Sequence, residues 1–289
     1  MVGYIDEWWW RLLIGLSFSA FAAASAYRSR SLSGSGALSA VAMGTGFLTL
    51  GEPVWFGVLA AFFLSSTFWS KWKRHTRAKS EAEAKYQKTG RRDAGQVWAN
   101  GGAGLLLCAA YALWPHEGWL YAYIGVMAAV NADTWATEIG ALSRTAPRSI
   151  VSGKPVSPGT SGGVTPLGSA AALAGAAFIG AVAALLLALP QPAGAAAGAL
   201  GGGAAAAAGL IAAAAAAGLA GAFADSLLGA TGQAVFRCQV CGSETERAEH
   251  CGSAARHVRG FAALDNDRVN LLSSLAAGLL AWAIGGLLL

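Results

Sequence analysis

Long apolar segments, separated by short polar ones, run through almost the whole chain. Several of them approach or exceed the roughly 18 residues with which a helix crosses about 30 Å of hydrocarbon. The second and third segments are short and adjoin at Gly51-Glu52-Pro53, so a re-entrant pair is an alternative there. We therefore predict an all-α, polytopic transmembrane helical bundle of six to eight spans, forming one domain over residues 1–289. The expected spans are 9–27, 34–51, 54–70, 97–114, 119–141, 166–189, 194–223 and 269–289.

Composition supports a membrane location. The chain is 55% hydrophobic and 12% charged, whereas soluble domains carry about 25% charged residues. Its 39 glycines suit closely packed membrane helices. The first segment could be a signal peptide ending at Ala24-Ser25-Ala26, but acidic Asp6 and Glu7 precede it and further apolar segments follow. We therefore predict that it is a retained span.

Basic residues occupy alternate connections between the apolar segments. The 20 lysines and arginines, apart from Arg11, lie in the connections 28–33, 71–96, 142–165 and 224–268. The connections between these carry none, which is the positive-inside pattern. It predicts that the four basic connections, including a basic helix or loop at 71–96, face the cytoplasm of a bacterial plasma membrane. The net charge of +5 then reflects topology, and no nucleic-acid partner is expected.

The segment NADTWATEIG, residues 131–140, places two carboxylates at the end of an apolar segment. In a helix, Asn131, Asp133, Thr134, Thr137 and Glu138 would form one polar face. A carboxylate at mid-bilayer costs about 2.5–3.5 kcal/mol, so such a face needs a partner. A divalent cation, a proton path and a basic side chain from another loop are the candidates. Alternatively, the helix ends earlier and the carboxylates are solvated.

The segment SGKPVSPGTSGGVTPLG, residues 152–168, is rich in glycine and precedes an apolar segment. Backbone N–H groups of Gly159, Thr160, Ser161, Gly162 and Gly163 could converge on a phosphate, and the next helix would add its N-terminal dipole. Lys154 would supply a mobile positive charge. The order of a P-loop is absent, and a flexible loop is the alternative.

Three further polar groups border apolar segments on the same predicted face. In GRRDAGQVWANGG, Arg91 and Arg92 could clamp phosphate, with Asn100 on the following helix. Topology alone would also explain these arginines. Asp225, in FADSLLGATGQ, could join the carboxylates of residues 131–140 around a metal. The segment LDNDRVNLLSS opens the last span with more polar groups than helix capping explains, namely Asp265, Asn266, Asp267 and Asn270.

Three of the four cysteines fall within one connection. In CQVCGSETERAEHC, Cys238 and Cys241 are followed by His250 and Cys251. These residues predict a closed, structural Zn²⁺ site in a small zinc-knuckle-like insert at 236–260. His257 is the alternative to His250. Cys108 lies alone in an apolar segment, where a packing role is expected.

Five motifs in this order, GRRDAGQVWANGG, NADTWATEIG, GTSGGVT, DSLLGATGQ and DNDRVNLLSS, resemble those of the multispanning membrane family that includes plant phytyl-phosphate kinase. The resemblance covers roughly residues 11–285, and cysteine-bearing bacterial members of that family have a similar Cys/His insert. It implies an isoprenoid monophosphate kinase that uses a nucleoside triphosphate such as CTP. It does not fix the lipid substrate.

The residue patterns fit this chemistry, because phosphoryl transfer needs positioning and charge neutralisation. Asp133, Glu138 and Asp225, with Lys154, are the expected catalytic residues. The asparagines Asn100, Asn131, Asn266 and Asn270 would orient phosphate oxygens. The expected Mg²⁺ ligands are Asp133, Glu138, Asp225, Asp265 and Asp267.

Three other functions are compatible with the same residues. Intramembrane acids also occur in ion-coupled transporters, although no internal repeat is evident here. A lipid cytidylyltransferase, or a polyprenol kinase with a free alcohol as acceptor, is another lipid enzyme that the sequence barely separates from the monophosphate kinase. A non-catalytic scaffold would not require five polar clusters on one membrane face.

Overall fold

The computed structural model describes residues 2–72, 76, 90–190 and 203–288. Most of the predicted basic helix or loop 71–96 and the start of the predicted span 194–223 lie outside these residues. Within them the chain forms eight α-helices, numbered here in chain order. They are α1 (Val2–Arg28), α2 (Gly34–Leu50), α3 (Pro53–Lys71), α4 (Ala94–Leu113), α5 (Glu117–Gly140), α6 (Pro166–Ala188), α7 (Ala204–Thr231) and α8 (Asn266–Leu288).

The helices confirm the predicted polytopic, largely helical class. By length and composition alone, four of the described helices can cross a membrane: Pro53–Lys71, Pro166–Ala188, Ala204–Thr231 and Asn266–Leu287. Helix α2 is apolar but has only 17 residues, about 26 Å at 1.5 Å per residue.

Local sequence explains where several helices begin. Asp93 and Gln96 form a reciprocal capping box at the start of α4. The Thr165 side chain caps α6, whose first residue is Pro166. The boundaries predicted from hydropathy differ most in α7, which continues past residue 223 to Thr231. The helix keeps its backbone hydrogen bonds beyond the apolar run, so Asp225 is a helical residue.

Helix α5 forms the centre of the bundle and packs against α3, α4, α6, α7 and α8. Its residues from Leu120 to Ala132 are all buried. Small residues permit the close packing. A Cβ added at Gly218 of α7 would lie 2.6 Å from the Ala176 Cβ of α6 and 2.9 Å from the backbone of Ala128 on α5.

Short β-strands occupy two connections. Strands β1 (Arg148–Ser149) and β2 (Gly163–Val164) form an antiparallel pair between α5 and α6. The predicted insert between α7 and α8 contains the strands β3 (Val235–Arg237), β4 (Glu244–Thr245), β5 (Glu249–His250), β6 (Ser253–Ala254) and β7 (Arg256–Arg259). Strands β4, β3 and β7 form a three-stranded sheet in that order, and β5 and β6 form a hairpin.

The connections that carry basic residues meet at one end of the bundle. The backbone of Arg92, just before α4, accepts a hydrogen bond from Ser33 N and donates one to Ser31 O. This ties the start of α4 to the connection between α1 and α2. The same end holds the β1–β2 pair and the insert, so the polar segments predicted to share a face do adjoin.

Candidate functional site

A polar cleft of about 610 Å³ opens at this end of the bundle. It lies among the last residues of α3, α5 and α7 and the first residues of α4, α6 and α8. The predicted site residues that line it are Asp133, Glu138, Asp225, Arg92, Asn100, Gly159, Thr160, Ser161, Gly162, Gly163, Asn266, Asp267 and Asn270. The fold therefore brings together thirteen predicted residues from five separate parts of the sequence.

Two carboxylates from different helices face the deep part of the cleft. Asp133 of α5 and Asp225 of α7 are both partly buried, and they lie close enough to repel each other. The Ser273 hydroxyl of α8 donates a 3.0 Å hydrogen bond to Asp225 Oδ2. Within the part of the chain that the structure describes, no basic side chain forms an ion pair with these two acids.

Helix α5 extends to Gly140, so the alternative in which it ends before its carboxylates does not hold. Further along it, Glu138 Oε1 accepts a 2.6 Å hydrogen bond from Ser70 Oγ of α3. Glu138 lies within electrostatic range of Arg92. Glu138 therefore accepts a hydrogen bond from a neighbouring side chain, whereas Asp133 accepts none from the residues that the structure describes.

Arg92 brings positive charge to the cleft wall. Its guanidinium lies 5.7 Å from the ring centre of Phe62 and 5.8 Å from that of Phe63. Burial lowers the pKa of Arg92 from its usual value, and the Glu138 carboxylate opposes that change. Its buried Nη1 has no hydrogen-bond partner among the described residues. A buried guanidinium nitrogen without a hydrogen-bond partner is energetically costly.

The glycine-rich loop folds against the end of α7. Gly159 and Gly162 have positive φ angles of 74° and 77°, which favour glycine. Ser161 Oγ donates a 2.9 Å hydrogen bond to Gln233 Oε1. The N–H groups of Thr160 and Gly163 bond within the loop, to Ser157 O and Thr160 O. Fewer backbone donors than predicted are therefore available to an anion.

Four predicted site residues lie outside the cleft. Asn131 is fully buried; its Oδ1 accepts from Ser65 Oγ at 3.0 Å and its Nδ2 donates to Gly175 O at 2.8 Å. Lys154 is exposed on the β1–β2 connection, and Arg91 is exposed with its guanidinium 5.8 Å from the Tyr27 ring centre. The Asp265 side chain accepts a hydrogen bond from Arg268 N at the start of α8.

The five predicted Mg²⁺ ligands do not form one cluster. Four line the cleft and Asp265 does not. Among the described residues, the group of three or more His, Cys, Asp or Glu ligand atoms close enough to share a metal is in the insert. A metal held by Asp133 and Asp225 would therefore need further ligands from substrate or water.

Sequence reasoning missed several residues of the cleft. Arg30, Lys71 and Arg144 line it, but they were assigned to topology because they lie in basic connections. Gln233, just after α7, and Glu246 of the insert also line it. These basic residues could have been recognised from their position, because each lies within a few residues of a span that ends on the predicted site face.

The insert brings together the predicted zinc ligands. One ligand atom from each of Cys238, Cys241, His250 and Cys251 lies within 4.8 Å of all the others. His250 Nδ1 is 3.5 Å from Cys241 Sγ and 3.2 Å from Cys251 Sγ. In a tetrahedral Zn²⁺ site, ligand atoms at about 2.0–2.3 Å from the metal are about 3.3–3.8 Å apart. This Cys3His cluster therefore has the composition and spacing to bind a metal such as zinc.

Hydrogen bonding favours the thiolate, which is the metal-binding form, at Cys238 and Cys241. Backbone N–H groups of Val240 and Cys241 donate to Cys238 Sγ, and the Cys241 N–H is the main cause that lowers the Cys238 pKa. Hydrogen bonding to Ser243 lowers the pKa of Cys241 to about 6. The Cys251 thiol is hydrogen-bonded to the Cys241 side chain. This hydrogen bond favours the protonated thiol and raises the pKa of Cys251 to about 11.

His257 lies outside this cluster. Its ring packs edge-on against Phe236 at 5.5 Å between ring centres. Of the two histidines considered for the metal site, the structure therefore brings His250 to the cysteines.

The bundle and its cleft define a polytopic helical membrane protein with a polar site at one end and a Cys3His insert beside it. The chain belongs to the family described as integral membrane protein DUF92, which matches residues 17–278. It is 31% identical to Protein PGR of Arabidopsis thaliana over 287 residues, which covers 93% of this chain and 94% of the plant protein. No solved structure matches the chain.

Proposed function

We propose that the protein is a Mg²⁺-dependent isoprenoid monophosphate kinase, which transfers a phosphoryl group from a nucleoside triphosphate such as CTP to make the diphosphate. The proposal rests on one observation above all. Arg92, Asp133 and Asp225 line the same cleft at one end of the helix bundle, and the buried Nη1 of Arg92 has no hydrogen-bond partner among the described residues. A guanidinium and two acids in one cleft are the groups that binding of a metal-bound phosphate requires.

The chain's own residues would position the two phosphates. Arg92 would bind a phosphate oxygen, with Arg30, Lys71 and Arg144 adding positive charge at the mouth of the cleft. Asn100, Asn266 and Asn270 would donate amide hydrogen bonds. The acceptor is itself a phosphate, so no strong general base is needed. Lys154, which lies outside the cleft, has no role in this scheme.

The donor set suits Mg²⁺. This ion is commonly held by one or two carboxylates together with waters and substrate phosphates, and Asp133 and Asp225 supply two. When bound, it would neutralise charge that develops on the transferred phosphoryl group. Neither acid has a basic ion-pair partner among the described residues, and this supports a cation there.

An apolar wall supports a lipid substrate. Ala172 of α6 and Leu219, Ala222 and Phe223 of α7 line the cleft below its polar mouth. Phe223 is also 38% exposed. An isoprenoid tail could therefore lie along this wall in the bilayer while its phosphate meets a soluble nucleotide. We place this end of the bundle at the cytoplasmic face of a bacterial plasma membrane.

The test uses the purified full chain in nanodiscs with Mg²⁺, radiolabelled phytyl or geranylgeranyl monophosphate, and CTP or ATP. We expect a labelled lipid diphosphate that forms only with Mg²⁺ and nucleotide. Asp133→Asn should abolish its formation. Asp265→Asn is the matched control, because asparagine still caps a helix and the residue lies outside the cleft.

Other products would identify the other candidates. Release of inorganic pyrophosphate with a nucleotide-linked lipid would indicate a cytidylyltransferase. Phosphorylation of free phytol, but not of its monophosphate, would indicate an alcohol kinase. A folded protein that forms no lipid product with any of these substrates would overturn the proposal and favour ion-coupled transport.

A further inference from the structure

The insert contributes to the cleft as well as lying beside it. Glu246 lines the cleft and lies within electrostatic range of Asp225. It is five residues after Cys241 and four before His250. Both ends of the segment that carries Glu246 are therefore residues of the Cys3His cluster.

The insert has little else to hold it in one conformation. Of the residues 235–260, all of which the structure describes, Val235, Cys238 and Thr245 are the buried ones. Its strands are two to four residues long. Such a segment cannot bury enough apolar surface to fold alone, and small domains of this kind commonly depend on a metal.

The two turns of the cluster are shaped to present ligands. Gly242 follows Cys241 with φ 73°, and Gly252 follows Cys251 with φ 72°. Cys251 itself has φ 53°, which is unfavourable for a residue with a Cβ. A metal bond that fixes the Cys251 side chain would offset this backbone strain.

The ends of the insert are attached to the helices that form the cleft. The Arg259 guanidinium donates to Ala230 O of α7. Phe261 N donates to Gly232 O at 2.8 Å, and Ala234 N donates to Leu264 O at 2.9 Å. The base of the insert is thus joined to the end of α7 and closed by hydrogen bonds between the residues that follow α7 and those that precede α8.

We propose that a Zn²⁺ ion held by Cys238, Cys241, His250 and Cys251 fixes the segment 242–249 and so positions Glu246 in the lining of the cleft, within electrostatic range of Asp225. Metal binding displaces the protons of the three thiols and requires no oxidant or reductant. The proposal stands apart from the proposed reaction, since any function of the cleft would depend on this part of its lining.

The first test measures zinc by mass spectrometry in the purified full chain. We expect one zinc per chain, and its loss in Cys241→Ser and in His250→Ala. His257→Ala is the matched control, because this histidine lies in the same insert but outside the cluster, and should retain the metal. A folded wild-type chain without zinc, or zinc loss equal in all three variants, would overturn the metal assignment.

The second test measures hydrogen exchange in the wild-type chain before and after zinc removal by a chelator. We expect the amides of 242–249 to lose at least tenfold in protection, whereas α6 keeps its protection. Chelation of folded protein also gives an answer where Cys241→Ser fails to fold. Unchanged exchange at 242–249 in zinc-free protein would show that the metal does not fix this segment. Neither test depends on kinase activity, so failure of the proposed reaction would be a separate result.

Discussion

Arg91 and Arg92 are adjacent in the sequence, yet their side chains have different surroundings. Arg92 is fixed by backbone hydrogen bonds to Ser31 and Ser33 and points into the cleft wall. Arg91 is exposed and lies over Tyr27. We predict that Arg92→Lys lowers kcat/KM for phosphoryl transfer roughly 10²-fold, as loss of a preorganised donor to a phosphate does.

Arg91→Lys is the matched control and should keep near-wild-type kinetics in the same assay. Both substitutions preserve charge, so topology should be unchanged in each. Equal kinetic losses in the two variants would show that the arginines act through the charge of the connection. Wild-type kinetics in Arg92→Lys would remove Arg92 from the phosphate site.

Asn131 and Asn100 were predicted to have the same function, and the structure separates them. Asn131 is buried and joins α5 to Ser65 of α3 and Gly175 of α6. Asn100 lines the cleft. We predict that Asn131→Ala destabilises the fold by about 1–3 kcal/mol, because it leaves buried partners without a hydrogen bond.

Thermal unfolding in detergent, followed by the lipid kinase assay at a temperature where both variants are folded, distinguishes the two asparagines. Asn131→Ala should unfold at a lower temperature and retain turnover when folded. Asn100→Ala should unfold near the wild-type temperature and turn over more slowly. The reverse pattern would return Asn131 to the site.

At the scale of helices, close packing depends on glycine and alanine. We predict that Gly218→Leu destabilises the bundle by at least about 1–3 kcal/mol, the usual cost of overpacking, because α6 and α5 leave no room for a side chain there. Gly286→Leu is the control: a Cβ at Gly286 would meet nothing within 4 Å. Unfolding temperatures in detergent should fall for Gly218→Leu alone, and equal stability of the two variants would contradict the observed helix packing.

The sequence was sufficient to predict the helices because each apolar run exceeds the length of most soluble helices, and backbone hydrogen bonds in a membrane must be satisfied within the helix. It could not predict which face of a helix meets the cleft. Asn131 and Asp133 are two positions apart on α5, about 200° around the helix axis at 3.6 residues per turn, so Asn131 packs inside the bundle while Asp133 lines the cleft. Lys154 was expected in the site because it precedes the glycines, but the β1–β2 pair holds it outside.

At the scale of the whole molecule, the helices alternate in direction with respect to the cleft. The last residues of α3, α5 and α7 line it, as do the first residues of α4, α6 and α8. The connections rich in lysine and arginine in the sequence therefore belong to the cleft end of the bundle. Topology and site chemistry share this end, which explains why Arg30, Lys71 and Arg144 were hard to recognise as cleft residues.

This arrangement predicts that the cleft faces the cytoplasm, since basic connections remain on that side. Lys154 is exposed on the β1–β2 connection, so a membrane-impermeant amine reagent should leave it unmodified in intact bacteria and modify it after permeabilisation. Mass spectrometry of the peptide that contains Lys154 measures this directly. Pro115→Lys places an amine in the exposed connection between α4 and α5, at the other end of the bundle. That lysine should react in intact cells. Modification of Lys154 before permeabilisation, with protection of the lysine at 115, would place the cleft outside the cell, where no cytosolic nucleotide could reach it.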